Sequence, residues 1–129
     1  MPDEIRFLGI QDLLAIAAAA TTGDLAVGDY GLLEAAAERP RTTVFGQDAY
    51  ATIHQKTAAL MQSVARNHAL VDGNKRTAWL ATYVFYDLNG YELDTPDDDG
   101  PVGLVLDVVV EHLEVDEIAV RLAEWVKPR

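Results

Sequence analysis

The chain has 129 residues, half of them hydrophobic and 8% aromatic, which is enough for one domain around one core, residues 1–129. It contains no cysteine, so disulfides, thiolate metal sites and a cysteine nucleophile are excluded. Acidic residues outnumber basic ones 21 to 10, giving a net charge of −11, which argues against direct contact with a nucleic-acid backbone.

The N-terminus, Met-Pro-Asp-Glu-Ile-Arg, lacks a basic-then-apolar leader pattern, and no apolar run approaches the ~18 residues of a spanning helix. A cytoplasmic protein without a membrane partner is expected. Residues 11–20 carry a helix-period apolar face of Leu13, Leu14, Ile16 and Ala17, ended by Thr21-Thr22-Gly23. Asp29 is placed to cap a second helix through Leu32, Leu33, Ala36 and Ala37, which must stop before Pro40. The strand-prone run Arg41-Thr-Thr-Val-Phe45 before Gly46 is too short for a sheet and predicts a flap or small hairpin. No other stretch reads as strand.

Asp48 is expected to cap a long third helix to Arg66, with Ile53, Leu60, Met61 and Val64 on its buried stripe and His54 and Lys56 off it. The helical period breaks near Gly73 and resumes after Asn74. Residues 77–88 are apolar on nearly every side until Asn89-Gly90, which predicts a helix through the centre of the fold, with Trp79, Tyr83, Phe85 and Tyr86 in the core. Two further helices, at about 102–113 and 116–126, follow a polar loop. The fold class is all-α, a helical bundle with a short flap before the third helix. His54 and His112 lack a second ligand at metal spacing and read as ordinary structure.

The segment from His68 to Arg76 gathers a histidine, a carboxylate, a glycine and two cations at the start of an apolar helix. Unpartnered N–H groups and the helix dipole make such a terminus an anion site. Gly73 lets the backbone approach closely, and Lys75 and Arg76 add charge for phosphate oxygens. Asp72 beside phosphates makes sense as a Mg2+ ligand, and His68 as a general base near neutral pH. The chemistry this suggests is phosphoryl transfer from a Mg2+-nucleotide to an outside hydroxyl. The same residues also fit an ordinary helix-connecting turn with two solvated cations, and spacing alone leaves both readings open.

The run His68-Ala-Leu-Val-Asp72-Gly73-Asn74-Lys75-Arg76 resembles the Fic signature H-x-F-x-[D/E]-G-N-[G/K]-R. Lys after Asn, followed by Arg-Thr-Ala, is the form of the Doc branch. Gly31-Leu-Leu-Glu-Ala-Ala, Arg39-Pro40, Val44-Phe-Gly46, Asn67-His68 and Asn89-Gly90 are also similar to that branch, so the likeness covers roughly residues 5 to 125. The resemblance implies a Fic/Doc-type helical bundle in which His68 is the base, Asp72 holds Mg2+, and Gly73, Asn74, Lys75 and Arg76 cradle the phosphates of ATP. Lys75 where adenylylating members carry glycine implies an inverted ATP and transfer of its gamma phosphate, and Trp79 stands where those members carry a further arginine. The alternatives are an adenylyltransferase of the same fold, or an inactive Fic-fold binding module acting as co-repressor.

Leu70 replaces the usual Phe of the motif. No Ser or Thr begins the family's inhibitory [S/T]-x-x-x-E-[G/N] motif; the nearest run, Thr95-Pro-Asp-Asp-Asp99-Gly100, reads as a turn and helix cap. The resemblance therefore implies inhibition by a separate antitoxin whose C-terminal segment folds into a groove near the first helix. It further implies a toxin that blocks translation by modifying a Thr or Ser of a translation factor such as elongation factor Tu. A target segment would add as a strand to the flap at residues 41–45.

Overall fold

The computed structural model describes residues 4–129. Among them are six α-helices: α1 (Ile10–Ala20), α2 (Tyr30–Glu38), α3 (Ile53–Arg66), α4 (Asn74–Leu88), α5 (Asp99–Val110) and α6 (Val115–Ala123). The four strands, β1 (Thr43–Val44), β2 (Gln47–Asp48), β3 (Tyr91–Leu93) and β4 (Val126–Pro128), have at most three residues each. The all-α expectation holds. None of the helices is long and apolar enough to cross a membrane.

The centre of the bundle is α3. Every residue from Lys56 to Ala65 is buried, and α2, α4, α5 and α6 all pack on it. This corrects the expectation that the helix beginning near Thr77 would be central: α4 leaves Tyr83, Asp87 and Leu88 exposed, so Tyr83 is no core residue. The reason lies in side-chain size. Thr57, Ala58, Ala59, Ser63 and Ala65 let neighbouring helices approach from several sides, although their modest hydropathy reads in sequence as a helix with one buried stripe. α3 adds Leu60 and Met61, and most of the other large side chains come from the surrounding helices, with Leu13, Leu33, Phe85, Tyr86, Leu104, Ile118 and Leu122 all fully buried.

The flap is a hairpin, Thr43 opposite Asp48 and Val44 opposite Gln47, with Phe45 (φ +52°) and Gly46 (φ +78°) at its tip. Asp48 is therefore strand and not the cap of α3. Thr52 takes that role: its hydroxyl accepts from Gln55 N while Gln55 Oε1 accepts from Thr52 N, a reciprocal pair that satisfies donors the helix start leaves open. Lys56 is buried, against expectation, because Asp48 and the Tyr50 carbonyl meet its ammonium.

A second strand pair escapes sequence reading. β3 and β4 pair antiparallel, Tyr91 with Pro128 and Leu93 with Val126, and the pairing ends α6 at Ala123, short of the expected 126. Segments of three residues, some 35 positions apart, carry too little periodicity to announce themselves. α5 also begins earlier than expected, at Asp99, where Asp97 Oδ1 accepts from Gly100 N at 2.7 Å. This is the turn and cap read from residues 95–100. A Cβ on Gly100 would stand 3.1 Å from Trp125 Cζ2, so the glycine lets the helix start lie against that ring. Trp125 in turn meets Trp79 edge-on, centroids 6.3 Å apart.

Where α3 meets α4, His54 Nδ1 lies 2.8 Å from the Tyr86 hydroxyl. Burial pushes the Tyr86 phenol well above its ordinary value, a rise opposed by its bond to Thr57 and added to by Tyr91. Burial also lowers His54 below the usual histidine value. Both groups are thereby held neutral, the phenol donating and the imidazole accepting. Because the folded His54 resists a proton that the unfolded chain accepts, stability is full above the ordinary histidine pKa and is lost as pH falls below about 6.5. The urea midpoint should drop between about pH 7 and pH 5.5 in the wild type, and His54→Gln should flatten that drop.

Candidate active site

The loop between α3 and α4 is fixed from three sides. Gly28 N and Asp29 N both donate to Ala69 O, at 2.8 and 3.0 Å, and Val71 N donates to Ala26 O at 2.9 Å. Val27 and Leu70 form an isolated antiparallel bridge. Leu70 itself is 3% exposed, so it anchors the loop in the core where the family motif carries Phe. From the far side, Asn74 Oδ1 accepts from Leu70 N at 3.1 Å and its Nδ2 donates to Leu70 O at 2.9 Å. The Asn74 side chain is thus committed to bracing the loop, and what it can offer a phosphate is its backbone N–H.

Gly73 is the N-cap of α4, with φ +83° and ψ 15°. A Cβ there would stand 2.6 Å from Thr21 Cγ2. The left-handed turn and the close approach of α1's end therefore both require glycine. The first helical bond of α4 is Thr77 N to Gly73 O, 2.9 Å, so the N–H groups of Asn74, Lys75 and Arg76 have no partner inside the helix.

His68, Val71, Asp72, Gly73, Asn74, Lys75 and Arg76 line one cavity of about 360 Å3. The structure thus brings together every residue singled out in the sequence. His68 is exposed at φ +52°, a conformation that is uncommon for a non-glycine residue and that turns the chain sharply as it leaves α3. Asp72, Lys75 and Arg76 are also exposed. No hydrogen bond or ion pair engages Asp72 among the described residues, and Arg76 makes only a 3.5 Å approach to Ala20 O. Charged groups without partners around free N–H donors match a polyphosphate with its counter-ion.

Among the described residues no cluster of three or more His, Asp or Glu side chains could hold a metal ion. The Asp72 carboxylate fits Mg2+ as a single protein ligand, the usual arrangement when substrate phosphates and water complete the shell. Sequence reasoning missed the neighbouring apolar pocket of about 240 Å3, which shares Lys75 and Arg76 with the polar cavity and adds Trp79, Pro101, Val102, Val105 and Leu106. Only tertiary packing brings α5 to α4, so no local signal announces it. His112 lies in the connection between α5 and α6 and lines neither cavity.

Residues 6–86 match the model of the Fic/DOC family. The chain belongs to that family. A Fic/Doc relative described as "Toxin Doc", from Mycolicibacterium smegmatis (strain ATCC 700084 / mc(2)155), is 48% identical over 119 residues, covering 92% of each chain. The matched Fic/Doc region runs from the segment before α1 to the last turns of α4, so it contains the hairpin, the His68 loop and the helix start.

Replacing Gly73 by Ala should lower stability by about 1–3 kcal/mol in urea denaturation, through the positive φ and the clash with Thr21 together. Adding Thr21→Ala should recover part of that loss, because it removes the clash and leaves the strain.

Proposed function

We propose that this chain is the toxin of a toxin–antitoxin pair and acts as a Mg2+-ATP-dependent phosphotransferase. It would move the gamma phosphate to a Thr or Ser hydroxyl of a translation factor, with elongation factor Tu the expected target, and so inhibit translation. The observation that carries this reading is the meeting of His68, Asp72 and the cationic start of α4 around one cavity. The relative named a Doc toxin, matching over 92% of both chains, supports the toxin role and, with it, an antitoxin partner.

In this reading the N–H groups of Asn74, Lys75 and Arg76 and the two cationic side chains bind the triphosphate oxygens and orient the gamma phosphate toward His68. The His68 imidazole takes the proton from the incoming hydroxyl as its oxygen bonds to phosphorus. The bond from the gamma phosphorus to the bridging oxygen breaks, and ADP leaves. Bound Mg2+, held by Asp72, would supply charge neutralisation across the phosphates. The nucleoside would lie against Trp79 and the apolar pocket beside Lys75 and Arg76, where a planar ring meets an aromatic edge and aliphatic walls. Lys75 supports gamma over alpha transfer, because a long cation fills the space that glycine leaves open in AMP-transferring members.

The hairpin β1–β2 offers an exposed edge to which an extended target segment can add as a strand. For the antitoxin, a groove of about 440 Å3 between α1 and α4, lined by Phe7, Leu8, Ala15, Ile16, Val84 and Leu88 with Arg6 and Asp12 at its rim, suits the apolar face of a helix. A separate inhibitor is consistent with residues 95–100 acting as the cap of α5.

The purified protein should be incubated with Mg2+, elongation factor Tu and ATP labelled at either the alpha or the gamma phosphate. Gamma label should transfer, and His68→Ala should reduce transfer by at least about a hundredfold. Transfer of alpha label would make the protein an adenylyltransferase. No transfer to elongation factor Tu or to any protein of a cell lysate would leave a binding module and overturn the enzyme reading.

A further inference from the structure

Of the charged side chains described, Lys56 alone is buried, at 3% exposure. Its Nζ lies 3.1 Å from Asp48 Oδ2 and also donates to the Tyr50 carbonyl. Both partners belong to one foot of the hairpin. Arg39, which precedes the hairpin on its other side, ties this same foot to α3: its Nε donates to the Tyr50 hydroxyl at 3.0 Å and its guanidinium reaches Ser63 Oγ at 3.0 Å and Ala59 O at 3.3 Å. Lys56, Ala59 and Ser63 are spaced i, i+3, i+7 and so form one face of α3. The strands themselves bury little: all four strand residues are exposed, Phe45 at the tip is fully so, and beside these anchors the hairpin's base is touched by Arg41 lying over the Phe7 ring at 4.9 Å.

The same helix carries the site at its other end. α3 runs unbroken to Arg66, which donates to Val108 O and Leu113 O, and His68 follows after Asn67. Hairpin and His68 are thus mounted on one rigid rod of roughly 20 Å.

We propose that Lys56 is a positioning residue that fixes the docking edge of the hairpin relative to His68, and so the register in which a protein substrate presents its hydroxyl. Filling the space would need only an apolar side chain. A buried ammonium must keep its partners, and the two it has are both on the hairpin foot, so any swing of the hairpin would strand the charge. That penalty makes the hairpin a fixed template, which the exposed Asp48 carboxylate could not achieve with a surface lysine. The inference rests on the reading of the hairpin as docking edge and His68 as base.

Because the chain has no cysteine, Phe45→Cys and Tyr83→Cys, both at exposed positions, place one spin label on the hairpin and one on α4 without background. Double electron–electron resonance should give a narrow distance distribution that Lys56→Met broadens and Lys56→Arg preserves. Asp48→Ala, at an exposed site that spares the core, should broaden it too. In transfer of gamma label to elongation factor Tu, Lys56→Met should raise the KM for the protein on the order of tenfold and leave the KM for ATP within about twofold. A distribution that stays narrow in both Lys56→Met and Asp48→Ala, or an equal rise in the two KM values, would overturn the proposal. If even the wild type transfers no label, the reading of the site has failed, and the spin-label distances still decide for or against the tether.

Discussion

With its backbone at φ +83° and Thr21 Cγ2 2.6 Å from where a Cβ would stand, Gly73 has no substitute, and the turn it makes fixes where α4 begins. From that starting point follow the three free N–H groups, the direction of the helix dipole, and the placement of Lys75 and Arg76 on the first turn. The constraint also reaches backward. α4 must start where Asn74 can clasp Leu70, and Leu70 must stay in the core, so the His68 loop has little freedom to drift from the helix end it serves.

The molecule is acidic, yet the cavity at the start of α4 gathers Lys75 and Arg76 against the single carboxylate of Asp72. Surplus acid elsewhere leaves the N-terminus of α4 as a place where an anion meets two cations and unpaired donors together. Each part has a separate task. Asn74 holds the loop with its side chain and leaves its N–H without a partner in the helix, Gly73 permits the turn, and Asp72 stands unpaired among the described residues at the cavity's edge. The neighbouring pocket under Trp79 is held from behind by the Trp79–Trp125 edge contact. α3 joins the His68 loop to the foot of the hairpin, so one central helix carries both.

Much of this was legible in the residues. Helical period and caps gave the first two helices nearly to the residue, and the motif from His68 to Arg76 placed every site residue that the cavity brings together. What sequence did not disclose depends on contacts far apart in the chain. Lys56 looks like a surface cation until Asp48 and the Tyr50 carbonyl are folded over it. α3 looks one-sided because its small and polar residues hide how closely four helices can approach it. β3 and β4 are three residues each and exist through their pairing, and the apolar pocket needs α5 laid across α4. The Asn74 clasp was missed for another reason: the motif suggests a phosphate ligand, and only the bonds to Leu70 reveal a brace.

The proposed function requires the start of α4 to receive a polyphosphate. At 129 residues the protein suits backbone-amide NMR, and the direct test is to titrate it with inorganic tripolyphosphate and Mg2+ while following every amide. The largest shifts should fall on Asn74, Lys75 and Arg76, with saturation, and Arg76→Ala should weaken binding on the order of tenfold. Shifts centred elsewhere, or binding untouched by Arg76→Ala, would contradict it.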